Sequence, residues 1–462
     1  MHHFSLRVSR EGPALRRQVY PATVGTLRIV NFMSILNQAK GFLLPKLRQI
    51  GHFAMKQGLA IAGNLIYGLI CVRVLPVKEY AKFAVLFGYM GSLTVLLDIG
   101  ISGTLAPLVG EQITNLRLIA DYVASIRRLT TWLYLIVAPL SVCAFFYLVR
   151  MQPWSFYVVA QMAVVLLITA WFARVNSTYG AVLILRRDRS YYYWIQIVGS
   201  LGSLALLLVA WPLHWLTLPV AILLNVAQVI GMAMLSYFRA RKLLGIKGEV
   251  SPQKEKLIIR LALPSLPNSF FYAIQGQITL MLITFFGHTE AVANIGALSR
   301  LGQILVYASQ MNPILVEPFF ARLPATQLKR NYVIVVAIVT AAAALFTVLS
   351  FAFPEAFLWV LGPNYRQLRF EVGLIVLGSA IRYLGGFLWV VHSARRFVYW
   401  WNTIANIALT LAVQILFLWK FDLSTVKNVL LLNIASAIAG TLATAACGVY
   451  GFIYGPQSME TK

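Results

Sequence analysis

Two arginines lie inside apolar segments in the two halves of this 462-residue chain. Arg174 falls within the apolar run 156–185, and Arg382 falls within the run 371–392. Both are too deep for their guanidinium groups to reach water easily. A guanidinium group binds phosphate through a planar fork that never loses its charge. We therefore predict that both side chains face a water-filled cavity and bind an anion there. The alternative is that they pair with Asp98 and with backbone carbonyls and so hold helices together.

Asp98 carries the opposite charge in a similar setting. If the apolar run 83–109 spans a bilayer, Asp98 lies close to the midplane, where an ionised side chain costs about 3 kcal/mol. A carboxylate at that depth can take up a proton or pair with a cation. We therefore predict that Asp98 is an ion-coupling residue that takes a proton or a sodium ion. The alternative is a static ion pair with Arg174 or Arg382.

A polar stripe follows one face of the apolar run 295–318. At about 100° per residue, its members fall within about 100° of the helix circumference: Arg300, Gln303, Tyr307, Gln310 and Glu317. Lipid cannot solvate such a face, so it must look toward another helix or a cavity. Arg300, Gln303 and Gln310 are therefore candidate substrate-binding residues, and Glu317 is a candidate ion-coupling residue. Arg300 lies near the outer end of its span, so snorkelling to the membrane surface is the simpler alternative for that side chain.

Composition places these residues in a membrane. The chain is 60% hydrophobic and 11% charged, and its mean hydropathy is +0.76. Twelve apolar runs are long enough to cross about 30 Å of hydrocarbon. They fall at 57–75, 83–109, 131–149, 156–185, 190–211, 216–238, 263–286, 295–318, 331–353, 371–392, 398–419 and 427–453. The sequence therefore predicts an all-α polytopic membrane protein with about twelve transmembrane helices.

The distribution of basic residues predicts the orientation. With the N-terminus inside, 28 of the 39 Lys and Arg residues fall in cytoplasmic segments and seven fall on the opposite side. This bias places both termini in the cytoplasm. It also accounts for most of the net charge of +25, so the charge does not indicate a nucleic-acid partner.

The chain contains an internal repeat. Adding 211 to the residue number produces one set of matches: Glu79 with Glu290, Gly91 with Gly302, Val95 with Val306 and Pro107 with Pro318. Adding 208 matches Arg174 with Arg382 and Arg187 with Arg395. Two matches in the same order and at nearly the same offset predict a duplicated unit, a common way of building transporters.

The repeat and the charged loops predict the domain organisation. The N-lobe covers 57–238, the cytoplasmic linker 239–262, the C-lobe 263–453 and the cytoplasmic tail 454–462. The basic segment 1–56 is either an interfacial helix or a disordered tail, and Met33 and Met55 are alternative start positions. The amphipathic stretch 111–130 is predicted to be an interfacial connecting helix.

Motifs for catalysis and for cofactor binding are missing from the sequence. It contains neither a G-x-x-x-x-G-K-[ST] phosphate loop nor an H-E-x-x-H metal motif, and its six histidines are scattered. The three cysteines lie inside predicted spans without metal-ligand spacing. We therefore predict no catalytic residue, no metal site and no cofactor. A pump driven by its own ATP hydrolysis is excluded for this chain.

Three stretches carry a family resemblance. They are RVLP-x-x-EY at the end of the first span, LLDIGISGTLAPLV in the second, and QGQITLMLITFFGH followed by GALSRLGQIL in the seventh and eighth. In this order they resemble the polysaccharide-exporter branch of the multidrug, oligosaccharidyl-lipid and polysaccharide (MOP) superfamily, which includes Wzx-type O-antigen and exopolysaccharide flippases. The resemblance covers residues 57–453. It implies two pseudo-symmetric six-helix lobes around a central cavity, as in MATE-like proteins.

The resemblance also implies a function. Proteins of this branch move undecaprenyl-pyrophosphate-linked oligosaccharides from the inner to the outer leaflet of the bacterial inner membrane by alternating access. Arg174, Arg382 and Arg300 are of the cationic type that such cavities present to pyrophosphate or acidic sugars. The implied partners are this lipid-linked substrate, the surrounding lipids, a proton or sodium ion, and the polymerase and chain-length proteins of the same pathway.

Three alternatives differ in features that the sequence reveals. A MATE-type drug/cation antiporter shares the fold but favours acidic residues in its cavity. A major-facilitator carrier has a G-x-x-x-D-[RK]-x-G-[RK] loop after its second span, where this chain reads GEQITNLRLIAD. A polysaccharide polymerase or ligase has a large external loop, whereas the longest external loop predicted here, 354–370, has only 17 residues.

Overall fold

A computed structural model of the chain describes residues 55–110, 112–186, 188–263, 266–397 and 399–455. Nearly all of the basic segment 1–56 and most of the tail 454–462 lie outside the described residues. The predictions made for those two segments therefore stay predictions.

The described residues are almost entirely helical. They form seventeen α-helices: α1 (Met55–Val74), α2 (Val77–Asp98), α3 (Leu105–Val109), α4 (Leu116–Val149), α5 (Phe156–Leu185), α6 (Arg189–Ala210), α7 (Leu218–Leu244), α8 (Pro252–Ala262), α9 (Leu266–Gln275), α10 (Ile278–Phe286), α11 (Thr289–Ser309), α12 (Asn312–Arg322), α13 (Ala325–Ala352), α14 (Pro354–Leu361), α15 (Arg369–Ala394), α16 (Trp400–Lys420) and α17 (Val426–Tyr454). Two 3₁₀ turns, Ser102–Thr104 and Pro363–Tyr365, complete the regular structure.

Eleven of the described helices are long and apolar enough to cross a membrane. The remaining predicted span, 263–286, is present as the two shorter helices α9 and α10, which are separated by Gly276 and Gln277. Large apolar side chains such as Leu345 and Val348 are exposed on the outside of the bundle, where hydrocarbon rather than water can solvate them. The predicted all-α polytopic membrane class is confirmed.

The two lobes repeat the same order of elements. In the N-lobe (α1–α7), α2 has Glu79 in its first turn and ends at Asp98. In the C-lobe (α9–α17), α11 has Glu290 in its first turn and ends at Ser309, which is Asp98 plus 211. A short helix containing a proline follows each of them, α3 in the first case and α12 in the second. The pseudo-symmetric two-lobe architecture predicted from the sequence is confirmed.

The second span is shorter than predicted. Helix α2 ends at Asp98 because Ile99 (φ 44°) and Gly100 (φ 79°) adopt left-handed backbone conformations. Its 22 residues extend about 33 Å, so Asp98 lies at the end of a span rather than near its middle. The predicted helix 83–109 is wrong because hydropathy continues through a break that only the backbone conformation reveals.

Two further boundaries are corrected. The predicted span 295–318 is divided between α11 and α12, so Glu317 is not on the same helix as Arg300. The predicted connecting helix within 111–130 is the first part of the 34-residue helix α4. At about 51 Å, α4 is longer than the hydrocarbon layer is thick, so its amphipathic turns project from the membrane.

The lobes are joined at one face of the molecule and separate at the other. We call the face that carries residues 245–251 the linker face. At the opposite face, one large apolar core includes Leu75 and Tyr80 of the N-lobe together with Val292 and Tyr365 of the C-lobe. At the linker face each lobe has its own apolar clusters. The described arrangement is therefore closed between the lobes at the face opposite the linker.

Candidate functional site

A cavity of about 400 Å³ lies in the C-lobe between α9, α15, α16 and α17. Its polar lining consists of Asn268, Gln275, Arg382, Asn402, Thr403, Asn406, Thr410, Ser436, Thr441 and Thr444. The aromatic rings of Phe271, Tyr272 and Trp389 also line it. None of the described lining residues is an aspartate or a glutamate. The cavity therefore offers one fixed positive charge, many neutral hydrogen-bonding groups and three aromatic surfaces.

Arg382 supplies the charge of this C-lobe cavity. It lies on α15, twelve residues before the helix ends at Ala394, and it donates a hydrogen bond to Oδ1 of Asn433 on α17. No described carboxylate forms an ion pair with it. A guanidinium group has five N–H donors. One bond to Asn433 leaves most of them for a ligand.

A stripe of polar side chains on α16 forms one wall of the cavity. The buried residues of this helix are all polar and follow one another at intervals of four: Asn402, Asn406, Thr410 and Gln414. The exposed residues of the same helix include Ile404, Ile415 and Trp419. The helix therefore presents its apolar side to lipid and its polar side to the protein interior. This stripe was not predicted from the sequence. The four-residue interval of Asn, Asn, Thr and Gln within an apolar run is nevertheless a pattern that indicates one polar face of a helix.

One end of the polar stripe is saturated with hydrogen bonds and the other is not. Gln414 donates through Nε2 to Oε1 of Gln275 (2.8 Å) and to Oγ of Ser436 (3.4 Å). Asn402, at the other end, is 2% exposed, and its Oδ1 has no partner among the described residues. A buried amide oxygen without a partner costs about 1–3 kcal/mol. It is therefore an acceptor that a bound ligand would satisfy.

Helix α9 covers the cavity and is itself bonded to the N-lobe. Its backbone carbonyl at Ala273 accepts a 2.7 Å hydrogen bond from Oγ of Ser92 on α2. Beyond the break at Gly276, Gln277 and Leu280 pack so closely on Gly88 of α2 that a Cβ there would lie 2.5 Å from the Leu280 side chain. A helix broken beside a polar cavity is a common feature of transporter binding sites. Here the broken helix connects the cavity with the opposite lobe.

Arg174 does not reach the C-lobe cavity. It is 5% exposed and donates through Nη1 to Oγ1 of Thr131 (2.5 Å) and to the carbonyl oxygen of Arg127 (3.2 Å), both on α4. Its guanidinium carbon lies 4.1 Å from the centre of the Trp171 ring, and its Nε has no partner among the described residues. The bond to a backbone carbonyl agrees with the structural alternative. The structure does not bring Arg174 and Arg382 together, because their partners lie in different lobes.

Asp98 bonds to neither arginine. Its Oδ2 accepts a 2.9 Å hydrogen bond from Oγ of Ser177 on α5, and its Oδ1 accepts one from the backbone N–H of Ser102. The ion pair with Arg174 or Arg382 that the sequence analysis left open is therefore not formed. Asp98 instead connects the end of α2 to α5.

Arg300 lies between the lobes. Its Nε donates to the hydroxyl of Tyr80 on α2 (3.4 Å), and its Nη1 donates to Oε1 of Gln303 (3.3 Å). The guanidinium group packs on Gly68 of α1, where a Cβ would come within 2.9 Å of Nη1. Arg300 thus points across the interface and does not snorkel to the surface. Gln310 is exposed in the turn after α11, and Glu317 lies on α12.

Comparisons with known proteins identify the architecture. A scan of protein-family models finds no match to this sequence, and a search of curated proteins finds none either. Solved structures do match. An inward-facing multidrug resistance MATE family transporter of the MOP superfamily superimposes with a TM-score of 0.60 at 14% identity, covering 87% of this chain and 94% of that chain. The chain therefore shares its fold with this transporter.

Two further solved structures have the same fold. The lipid II flippase MurJ, in an inward closed conformation, superimposes with a TM-score of 0.59 at 12% identity, over 87% of this chain and 86% of that chain. An outward-facing multidrug resistance MATE family transporter superimposes with a TM-score of 0.53 at 15% identity, covering 87% of this chain and 95% of that chain. These neighbours carry different substrates on one architecture, so the substrate has to be argued from the residues of the site.

Proposed function

We propose that this protein is a flippase for undecaprenyl-pyrophosphate-linked oligosaccharide repeat units. It moves them from the inner to the outer leaflet of the bacterial inner membrane, by alternating access, for surface or exopolysaccharide synthesis. It is a secondary transporter rather than an enzyme. The observation that carries the proposal is the lining of the C-lobe cavity, in which Arg382 stands among amides, hydroxyls and aromatic rings without a carboxylate.

The cavity lining suits the head group of such a lipid. Arginine binds phosphate oxygens through its planar fork. The amides of Asn402 and Asn406 and the hydroxyl of Thr410 suit the hydroxyl groups of sugars, and Trp389 offers a flat surface for a sugar ring. A volume of about 400 Å³ lies within the usual range for small-molecule sites. It holds part of the head group, while the isoprenoid tail stays in lipid.

Electrostatics explains why a fixed cation is needed at this site. An isolated pyrophosphate is very costly to transfer into a medium of low dielectric constant. Arg382 is half-buried among neutral groups and supplies countercharge where water is scarce. The charge of Arg382 is not neutralised by any described carboxylate. It therefore remains available to an anionic ligand.

Access to the cavity follows from how the lobes meet. The shared apolar core closes the face opposite the linker, and the distribution of basic residues predicts that the linker face is cytoplasmic. Together these support loading from the cytoplasmic leaflet. Release then requires the shared core to separate. Because α9 is bonded to α2, such a movement would also move the cover of the cavity.

The other predicted site residues have proposed roles that depend on movement of the lobes. Arg174, Arg300 and Gln303 already have protein partners in the described arrangement, so contact with the substrate requires them to exchange those partners. Asp98 remains the proposed ion-coupling residue, with a proton or sodium ion as the coupling ion. Two further proposals from the sequence remain: Gln310 as a substrate contact and Glu317 as an ion-coupling residue.

A MATE-type drug/cation antiporter is the second candidate, because MATE transporters share the fold. The aromatic rings of the cavity would also suit an organic cation. A cation site, however, needs negative charge, and none of the described lining residues provides it. The charge of the cavity therefore favours an anionic substrate.

Deletion of the gene in its native host tests the proposed function. We expect loss of a surface or secreted glycan and accumulation of lipid-linked repeat units on the cytoplasmic side. The wild-type gene should restore the polymer, and so should Arg366→Ala, which removes an exposed arginine outside the cavity. Arg382→Ala should not restore it. Normal polymer in a clean deletion strain that lacks a second exporter would overturn the proposal.

A further inference from the structure

A second cavity, of about 380 Å³, opens at the linker face of the N-lobe. We call it the basic pocket. It lies between α4, α5, α7 and the loop that follows α7, and its polar lining includes Arg127, Arg241 and Lys247. The rings of Tyr179 and Tyr237, whose centres are 5.0 Å apart, form its aromatic wall. It shares no lining residue with the C-lobe cavity.

The three cations of the basic pocket have no described carboxylate as a partner. Four acidic residues described near this face are bound to cations outside the lining: Asp121 to Lys254 (2.6 Å), Asp188 to Arg239 (2.7 Å), Glu249 to Arg117 (3.6 Å) and Glu255 to Arg128 (3.6 Å). Arg241 donates only to a neutral group, the hydroxyl of Tyr237 at 3.0 Å. Three like charges that converge on one cavity repel each other. The pocket is therefore set up for a ligand with several negative charges or several acceptor oxygens.

The wall formed by the loop is held in place without a ligand. Gly248 lies against α4 so closely that a Cβ would be 1.9 Å from the carbonyl oxygen of Ala120. The next residue, Glu249, donates its backbone N–H to Oδ1 of Asp121 at 2.8 Å. These contacts fix the loop backbone beside Lys247 relative to α4. The wall of the basic pocket that the loop provides is thus formed before a ligand binds, whereas the side chains of the three cations are exposed.

The lining of the basic pocket includes an exposed apolar side chain. Ile246, on the loop, is 45% exposed. It lies two residues beyond the end of α7, a helix long and apolar enough to cross a membrane. Cations beside an exposed apolar side chain at the end of such a helix match a lipid whose phosphate is at the interface and whose chains are in hydrocarbon.

We propose that the basic pocket binds the phosphate of an anionic membrane-lipid head group. The site is separate from the C-lobe cavity and does not depend on the proposed flippase function. A bound lipid would place its phosphate oxygens between the three cations, reduce their mutual repulsion and connect α4 and α7 through the loop. A soluble phosphate or pyrophosphate has the same recognition chemistry, so the experiment has to distinguish the two sources.

Native mass spectrometry of the purified full-length protein in detergent provides the test. The probes are phosphatidylglycerol, phosphatidylcholine and inorganic pyrophosphate, each titrated separately. We expect the wild type to retain phosphatidylglycerol in preference to phosphatidylcholine. The triple variant Arg127→Gln, Arg241→Gln, Lys247→Gln should bind phosphatidylglycerol at least about tenfold more weakly, because each basic residue near a membrane surface contributes about 1 kcal/mol.

A matched triple variant controls for net charge. Lys242→Gln, Lys256→Gln and Arg260→Gln remove the same charge from exposed positions at the same face, and affinity should stay within about twofold of the wild type. If the pocket triple variant does not fold, Lys247→Gln alone decides, since this exposed loop residue is not needed for packing. The single variant should bind about fivefold more weakly, and an unchanged affinity would overturn the proposal.

The remaining outcomes also decide. Equal retention of phosphatidylglycerol and phosphatidylcholine would contradict a phosphate head-group site. An equal loss of affinity in the control triple variant would show that only net charge matters, which would also contradict it. If pyrophosphate alone binds, and binding depends on the same three residues, the site takes a soluble phosphate and the lipid proposal fails.

Discussion

Arg174 and Arg382 occupy matching places in the two lobes, yet their surroundings differ. Arg174 lies eleven residues before the end of α5, and Arg382 lies twelve before the end of α15. Arg174 is bonded to the hydroxyl of Thr131 and the carbonyl of Arg127. Arg382 has one amide partner and a cavity in front of it. Of these two positions, only Arg382 therefore has an open space in front of it.

This difference predicts separate effects on stability. Arg174→Ala should lower the free energy of unfolding by about 1–3 kcal/mol, because bonds from a charged group to α4 are lost. Arg382→Ala should change it by less than about 1 kcal/mol, since the side chain lies beside a cavity. Thermal unfolding of both variants in the same detergent measures the contrast. Equal destabilisation would show that Arg382 holds helices together as Arg174 does.

Asp98→Asn tests the coupling role at a single atom. The amide keeps the shape of the carboxylate and can still accept from the N–H of Ser102, so the turn after α2 should persist. It cannot carry a negative charge. We expect transport by this variant to become insensitive to collapse of the proton or sodium gradient, as measured with ionophores in cells. If Asp98→Asn transports at the wild-type rate and its transport still depends on the ion gradient, Asp98 is not the coupling group.

Sequence patterns located some of these residues better than others. Arg382 was found because an arginine deep in an apolar run is costly and the internal repeat gave it a counterpart. The predicted position of Asp98 in the middle of a span was wrong, because the apolar run continues through the left-handed turn at Ile99 and Gly100. Asn402 was missed because one amide in an apolar helix is commonly a contact between helices. Only the packing of α16 shows that its buried residues form a polar wall.

At the scale of the elements, α16 combines structure and binding on one face. Its Gln414 end bonds to Gln275 and Ser436, whereas its Asn402 end lines the cavity and has a buried oxygen without a partner among the described residues. The sequence predicted that this helix exists and where it ends to within two residues. It did not predict that one end of the helix is hydrogen-bonded and the other lines a cavity, because that depends on which residues of α9 and α17 lie opposite.

The two ends of α16 should respond differently to alanine. Gln414→Ala removes two hydrogen bonds and should destabilise the protein by about 1–3 kcal/mol. Asn402→Ala removes an oxygen that has no partner and should leave stability unchanged or slightly higher, while transport falls. Thermal unfolding and glycan export, measured on both variants, check this pair. If Asn402→Ala exports normally, the cavity does not use this end of the stripe.

At the scale of the whole molecule, the described arrangement is held closed by polar bonds as well as by the shared core. Gln152, between α4 and α5, is 6% exposed. Its Nε2 donates to the carbonyls of Thr284 (2.7 Å) and Gly287 (2.9 Å), and its Oε1 accepts from Oγ1 of Thr289 (2.9 Å). One N-lobe side chain thus binds three groups of the C-lobe at the face opposite the linker.

Loss of these bonds should favour separation of the lobes at that face. Gln152→Ala removes about 1–3 kcal/mol from the closed arrangement, enough to shift the equilibrium between closed and separated lobes by about five- to 150-fold. Spin labels are attached at Lys78→Cys in the N-lobe and Arg366→Cys in the C-lobe, in a chain without its native cysteines. Double electron–electron resonance then measures the distance between the two labels. The exposed neighbour Met151→Ala is the control. An unchanged distance distribution in Gln152→Ala would show that Gln152 does not hold the lobes closed.

The central claim is that the protein moves a lipid-linked oligosaccharide through a cavity that contains Arg382. The most direct measurement reconstitutes the full-length chain in liposomes that contain undecaprenyl-pyrophosphate-linked oligosaccharide. A membrane-impermeant glycosidase then follows the fraction of the glycan that becomes accessible with time. We predict that the wild type and Arg366→Ala expose the inner-leaflet pool, that Arg382→Ala is at least about tenfold slower, and that Arg382→Lys is intermediate. Exposure no faster than in protein-free liposomes, or equal rates for wild type and inserted Arg382→Ala, would contradict the claim.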